Sequence, residues 1–247
     1  MAVALFCVWT AAAAPAQTPP LVVSVAASLA DVMSALAQLH EQRTGQVVRL
    51  NVAGSNFLAR QIVEGARADV FVSADEAQMD VVDRAGRLVP GSRVDLLTNQ
   101  LVVVGQPRSG LRIRGPADLA APAIRRLAVG NPESVPAGVY ARQWLDKAGV
   151  WQTLVGRVVP TLTVRAALAA VRAGRADVAV VYLTDARTDP TVPLLYTVPP
   201  ADAPPIRYPA AVVAGPNRIA AGQFLTFLRT PAAGATFVAA GFGLAAH

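Results

Sequence analysis

The sequence predicts an α/β protein built as two lobes, with the chain crossing from the first to the second and back. Three observations carry this. Short β-rich runs alternate with helical stretches from residue 21 to residue 86, and the alternation resumes between residues 127 and 182. Between the two series lies the longest β-like run, 96–104, and a further run, 208–214, follows a proline-dense segment. Alternation of this kind builds parallel sheets covered by helices, and two series joined by two long strands make two lobes.

The elements follow in order. Residues 21–26 form a strand. Ser28 follows as an N-cap candidate with Asp31 three residues on, and Leu29, Val32, Met33, Leu36 and Leu39 recur at helical spacing. That helix should end near Gly45, a natural residue just past a helix end. Residues 47–52 are the next strand, 57–63 a helix stopping at Gly65, 68–73 a strand, and 76–85 a helix closed by Gly86. After the long strand 96–104, the second series runs strand 127–129, helix 138–148, strand 158–159, helix 164–173 and strand 178–182. Residues 188–209 are dense in proline and read as extended connections. The strand 208–214 and the helices 220–228 and 232–239 close the chain.

Composition excludes several classes. The chain has 247 residues, 53% hydrophobic and 15% charged, the opposite of a disordered composition. The 22 basic and 16 acidic side chains give +6 at neutral pH, which invites a polyanion. The basic residues are arginines apart from Lys147, however, and they are scattered. Aromatics make up only 6% and do not interleave with them as stacking platforms require, so nucleic acid is not the expected partner. There is no GxGxxG, Walker-type loop or HExxH motif. The two histidines are His40, read as a surface residue beside Glu41, and the terminal His247, neither placed to serve a Ser-His-Asp triad. Asp69, Asp75 and Asp80 admit a hard-metal cluster but read more simply as a strand end, a helix start and a surface position. The chain is therefore not expected to be an enzyme or to carry a cofactor.

The N-terminus reads as a secretory leader. Residues 1–30 carry no charge, and an apolar stretch ends in Ala14-Pro15-Ala16, an Ala-x-Ala cleavage pattern. The prolines at 15, 19 and 20 interrupt it too early for a membrane span. No lysine or arginine precedes it, and the alternative is an apolar N-terminus on a cytosolic chain. Cys7, the single cysteine, lies within this leader, so a mature chain can form no disulfide and no thiolate metal site.

One pattern does recur: a strand ending in a small-residue turn that opens a helix. It occurs at Ala27-Ser28, Gly54-Ser55, Val135-Pro136-Ala137-Gly138 and Thr163-Val164. Each turn leaves free backbone N–H groups at the positive end of a helix. Any one alone reads more simply as ordinary capping. Together, at the carboxyl ends of strands where open α/β sheets bind ligands, they describe a cleft rich in donors and poor in cations, suited to an anion.

At these same residues the sequence resembles the periplasmic molybdate-binding proteins of molybdate ABC transporters. The matching motifs are Ala26-Ala27-Ser28-Leu29, Leu58-Ala59-Arg60-Gln61-Ile62, Ala68-Asp69-Val70-Phe71-Val72-Ser73-Ala74-Asp75, Val135-Pro136-Ala137-Gly138-Val139-Tyr140-Ala141, Val164-Arg165-Ala166-Ala167-Leu168, Val181-Tyr182-Leu183-Thr184-Asp185-Ala186, Tyr208-Pro209 and Gly241-Phe242. The resemblance implies a two-lobed type II periplasmic binding protein fold, two doubly wound sheets joined by two crossing strands. It implies a leader at 1–16, a first lobe from 21–98 and 211–247, and a second lobe from 99–210. It also implies that a tetrahedral dianion, molybdate and tungstate or alternatively sulfate or another oxyanion, is held without a cationic side chain. Carried over by motif, the donors are the hydroxyl and N–H of Ser28 and Ser55, the N–H of Ala137 and Val164, and the hydroxyl of Tyr182. A monomer in the periplasm that delivers the anion to a membrane permease completes that expectation. The chain departs from the family pattern at Asn56 and Phe57, where hydroxyl residues are usual, at Leu162 and Thr163, and at Asn131 and Ser134. Asn56 and Phe57 are expected to bear on pocket size.

Overall fold

The computed structural model describes residues 19–245; the expected leader at 1–16, Cys7 and His247 lie outside the described residues. The chain forms β1 (Leu21–Ala26), α1 (Ala30–Thr44), β2 (Val48–Ala53), α2 (Ser55–Val63), β3 (Val70–Val72), α3 (Glu76–Arg84) and β4 (Val94–Asn99). It continues as β5 (Leu101–Gly105), β6 (Leu127–Gly130), α4 (Pro136–Lys147), α5 (Trp151–Leu154), β7 (Val158–Thr161), α6 (Val164–Arg172), β8 (Val178–Tyr182) and α7 (Leu183–Arg187). It closes with β9 (Leu194–Thr197), β10 (Ile206–Val212), α8 (Arg218–Leu228), α9 (Pro231–Ala239) and β11 (Gly243–Leu244).

These strands form two sheets, ordered β11-β4-β10-β3-β1-β2 and β7-β6-β8-β5-β9. Each contains a parallel triplet in which the first strand of the series lies between the other two, β2-β1-β3 and β7-β6-β8. Beyond each triplet every neighbouring pair is antiparallel, β3 with β10, β10 with β4 and β4 with β11 in one sheet, β8 with β5 and β5 with β9 in the other. Strands covered by helices on both faces need continuous apolar sequence, and β3, β5, β6 and β8 are buried at every residue. The edge strand β2 shows instead a partly exposed pattern. Leu29, Met33 and Leu36 of the first helical segment are fully buried against this sheet, at about 1.5–3 kcal/mol for each such side chain removed from water.

The run 96–104, expected as one strand, is two. Gln100 separates β4, in the first sheet, from β5, in the second, so this single residue carries the outward crossing. The whole of β10 lies in the first sheet, so the return crossing falls before Ile206 and not at 210/211 as the sequence boundary has it. The proline-dense segment 188–209, read as extended connections, contains β9 and the start of β10. A register shift between Tyr208 and Pro209 admits proline into an interior strand, as a bulge allows.

Two residues read otherwise in the sequence are corrected. Ser28 is not the N-cap of α1; it lies in a 3-10 turn, Ala27–Leu29, and the cap position falls to Leu29 without a side-chain bond. His40 is not a surface residue: it is 4% exposed and sits 5.0 Å from the ring centroids of both Phe224 and Phe227. Burial lowers its pKa from the ordinary value. Gly45 does end α1 in the left-handed region, at φ 71°. The three aspartates take local structural roles. Asp69 accepts the Val22 N–H at 2.7 Å, Asp75 caps α3 through the Gln78 N–H at 2.9 Å, and Asp80 pairs with Arg93 at 2.5 Å. Among the described residues no cluster of three or more acids, histidines or cysteines has metal-site geometry, and no helix is long and apolar enough to cross a membrane.

Candidate functional site

The parallel triplets of both sheets point their carboxyl ends at one small cavity of about 10 Å³. From the first lobe it is lined by Ala26, Ala27 and Ser28 after β1, Gly54 and Ser55 after β2, and Ala74 after β3. From the second come Val135, Pro136 and Ala137 at the start of α4, Thr163 and Val164 at the start of α6, and Tyr182 at the end of β8. Among the described residues no charged side chain lines it. All five residues anticipated for an anion, Ser28, Ser55, Ala137, Val164 and Tyr182, therefore meet at one point, although Ser28 and Tyr182 are 154 positions apart in the chain.

Local sequence explains each placement. Ala137 follows Pro136 in the first turn of α4, and Val164 opens α6 behind its cap Thr163, whose hydroxyl takes the Ala166 N–H at 3.1 Å. First-turn N–H groups have no intrahelical acceptor, so those of Ala137 and Val164 lie without one at the positive helix ends beside the cavity. Gly138 permits the close seat of α4: a Cβ there would meet the Gly130 carbonyl oxygen at 1.9 Å. Gly54 lies where the lobes touch, since a Cβ there would approach the Leu162 carbonyl oxygen to 3.0 Å.

The side-chain donors are buried. Ser28, Ser55 and Tyr182 are 3%, 1% and 1% exposed. The Ala74 N–H donates to Ser55 Oγ at 3.0 Å. The Tyr182 hydroxyl is buried without a protein partner, an arrangement that costs free energy unless a ligand completes it. Burial holds the Tyr182 phenol well above its ordinary pKa, so it is a neutral donor. Asn56 and Phe57 do not line the cavity, and Phe57 is exposed.

Arg165 comes near without lining the cavity. From α6 it reaches Asp185 Oδ1 at 2.5 Å and, across the lobes, Asp31 Oδ2 at 2.8 Å. Asp185 is fully buried, and burial pushes its carboxyl up to about 6 despite that partner. Asp75, behind Ala74, is likewise pushed up to about 6 by burial.

Sequence reasoning missed two groups. Ala74 ends a strand–turn–helix unit of the same kind as the four recognised, and that spacing was the available signal. Tyr208 is fully buried, contacts Ser28 through a 3.1 Å hydroxyl pair and stacks edge-on to Tyr182 at 5.8 Å; it lies 180 residues from Ser28, and its Tyr208-Pro209 motif entered the resemblance without any sign of that contact. A larger cavity of about 520 Å³ opens beside the crossing strands, lined by Thr98, Gln100, Leu183, Val198 and Pro204 among others. None of the four helix-opening turns and none of the five anticipated donors lines it, so the small cavity is the better candidate for an anion.

Comparison with known proteins agrees with this geometry. The family model for bacterial extracellular solute-binding proteins matches residues 21–243. The molybdate-binding protein ModA of Escherichia coli (strain K12) is 37% identical over 227 residues, covering 90% of this chain and 88% of its own. The solved periplasmic molybdate-binding protein of Azotobacter vinelandii superposes with a TM-score of 0.83 at 29% identity, over 92% of this chain and 100% of its own. The sulfate-binding protein SubI of Mycobacterium tuberculosis H37Rv shares the fold, with a TM-score of 0.80 at 21% identity over 91% of this chain and 86% of its own. The chain thus belongs to the bacterial extracellular solute-binding protein family, whose members bind solutes and are not enzymes.

Proposed function

We propose that this chain captures molybdate, and tungstate with it, between its lobes outside the cytoplasm and delivers the anion to the permease of an ABC transporter. The observation that carries the reading is the uncharged cavity ringed by two serine hydroxyls, two helix N-termini and the unpartnered Tyr182 hydroxyl. The ligand donors are Ser28, Ser55, Ala137, Val164 and Tyr182. Hydrogen bonds to a charged group contribute about 1.5–3 kcal/mol each. Several together reach the roughly 8–12 kcal/mol of micromolar to nanomolar binding, so no cation is required. In this reading residues 1–16 are the export leader and the protein acts as a monomer.

Sulfate is the second reading, supported by the fold likeness to a sulfate-binding protein. Both anions are tetrahedral dianions, and cavity size is the distinguishing quantity. Calorimetric titration with molybdate, tungstate, sulfate and phosphate tests the choice. Molybdate and tungstate are expected to bind with Kd below about 10 μM, corresponding to more than about 7 kcal/mol, and sulfate more weakly. Absence of molybdate binding in that range sinks the reading, and sulfate binding tighter than molybdate selects the second one.

A further inference from the structure

Two serine hydroxyls face the cavity, and a hydroxyl can either donate or accept. For Ser55 the choice is made by the Ala74 N–H, which can only donate and takes an Oγ lone pair at 3.0 Å. The Ser55 proton is thereby left for the cavity. For Ser28 the partner is another hydroxyl, Tyr208 Oη at 3.1 Å, and that contact alone leaves the direction open.

Asn99, the last residue of β4, closes it. The Gln100 N–H donates to Asn99 Oδ1 at 2.9 Å, which fixes the end of the amide that carries the oxygen. The two protons on Asn99 Nδ2 then go to Thr184 Oγ1 at 2.9 Å and to Tyr208 Oη at 3.1 Å. Tyr208 accepts there, and Ser28 Oγ is the acceptor left for its own proton. Were Ser28 to donate instead, the proton of a fully buried phenol would have no partner, which buried polar groups rarely tolerate. Burial keeps Tyr208 protonated far above its ordinary range.

We propose that Asn99 and Tyr208 are positioning residues whose one-way hydrogen-bond relay turns the Ser28 proton into the cavity, and that they thereby set a preference for fully deprotonated oxyanions over protonated ones. With one lone pair of Ser28 Oγ and one of Ser55 Oγ taken from behind, each hydroxyl turns its proton toward the cavity, and the Tyr182 hydroxyl proton has no other partner. An anion that keeps its own O–H, such as hydrogen phosphate, brings a donor to a ring of donors. This deepens the oxyanion reading of the site and rests on it.

The experiment is competition between molybdate and hydrogen phosphate at mildly alkaline pH, in the wild-type chain and in Tyr208→Phe and Asn99→Asp. Tyr208→Phe frees the Ser28 oxygen to accept. Molybdate affinity is expected to fall about tenfold, the scale of one hydrogen bond to a charged group, and the molybdate-to-phosphate affinity ratio by at least about as much. Asn99→Asp reverses the relay, because a carboxylate accepts the Tyr208 proton and Tyr208 then accepts from Ser28. Its added charge repels both dianions alike and cancels in the ratio, which is expected to fall again. A ratio unchanged in both variants, with thermal unfolding near wild type, overturns the relay and leaves the molybdate reading standing. Wild-type protein that binds hydrogen phosphate as tightly as molybdate overturns the relay without any variant. Wild-type protein that binds neither molybdate nor sulfate overturns the oxyanion reading itself.

Discussion

Ser55→Ala separates the two roles of one hydroxyl. In the folded chain Ser55 Oγ accepts the Ala74 N–H at 3.0 Å, and its proton is directed at the cavity. Truncation removes a donor to the anion, about 1.5–3 kcal/mol for a charged partner, or about 10- to 150-fold in Kd. It also leaves the Ala74 N–H buried without an acceptor, at about 1–3 kcal/mol of folding stability. For a chain of this size that lowers Tm by about 2–12 °C. The first quantity is read by titration calorimetry with molybdate, the second by thermal unfolding without ligand. A third measurement links them. At a molybdate concentration of about one hundred times the wild-type Kd, ligand stabilises the wild-type chain by about 2.7 kcal/mol; a hundredfold weaker variant gains only about 0.4 kcal/mol. A Kd within about twofold of wild type, alongside a lowered Tm, refutes the reasoning and leaves Ser55 as a strut for the loop after β3.

Three further outcomes are expected. Gly138→Ala forces its Cβ toward the Gly130 carbonyl oxygen, 1.9 Å away in the present backbone. The start of α4 must shift and carry the Ala137 N–H off the cavity, so unfolding shows a loss of about 1–3 kcal/mol or more and titration a weaker Kd. Asp31→Ala removes the cross-lobe partner of Arg165. That pair is mostly exposed on the Asp31 side, at 70%, and is worth at most about 1 kcal/mol, so stopped-flow release of molybdate should accelerate by no more than about fivefold. Asp75 titrates near about 6 in the folded chain against an ordinary 3.8. The native state therefore binds the extra proton between these values, and this group adds stability as pH falls through about 6, complete below about 4, worth about 3 kcal/mol in full. Asp75→Asn, which keeps a capping side chain, should flatten that part of the pH–stability curve and raise stability at neutral pH. An unchanged slope contradicts the assignment.

The strand–helix units were legible because each is local: a run of β-branched residues, a small-residue turn and a helix ending at glycine lie within about thirty residues of one another. The four helix-opening turns were legible for the same reason, and their joint meaning came from the rule that ligands sit at carboxyl strand ends. Gln100 was not legible. β4 and β5 share one continuous β-prone composition, and a change of sheet leaves no mark when the residues on either side are equally buried. His40 was misread because Glu41 beside it is exposed, whereas the phenylalanines that cover it lie on α8, more than 180 positions away. Tyr182 entered the site through family resemblance alone, Tyr208 entered that resemblance only as a motif, and the place of Tyr208 and Asn99 behind Ser28 required the fold, since hydrogen bonds spanning 109 and 180 positions have no spacing to detect.

The order of strands in the first sheet also bears on how a growing chain can assemble. β10 sits between β3 and β4 in space, yet it is made after the entire second sheet. A growing chain can complete β5 to β9 while the first sheet is still split, with β3 and β4 lacking the partner that joins them. Closing that gap pairs Ala210 with Val72 and with Val94, contacts of long sequence separation that form slowly. During synthesis the second lobe can therefore complete its sheet while the first still waits for β10. The binding site, which draws on both, forms last, and it depends on a strand that contributes none of the cavity's lining.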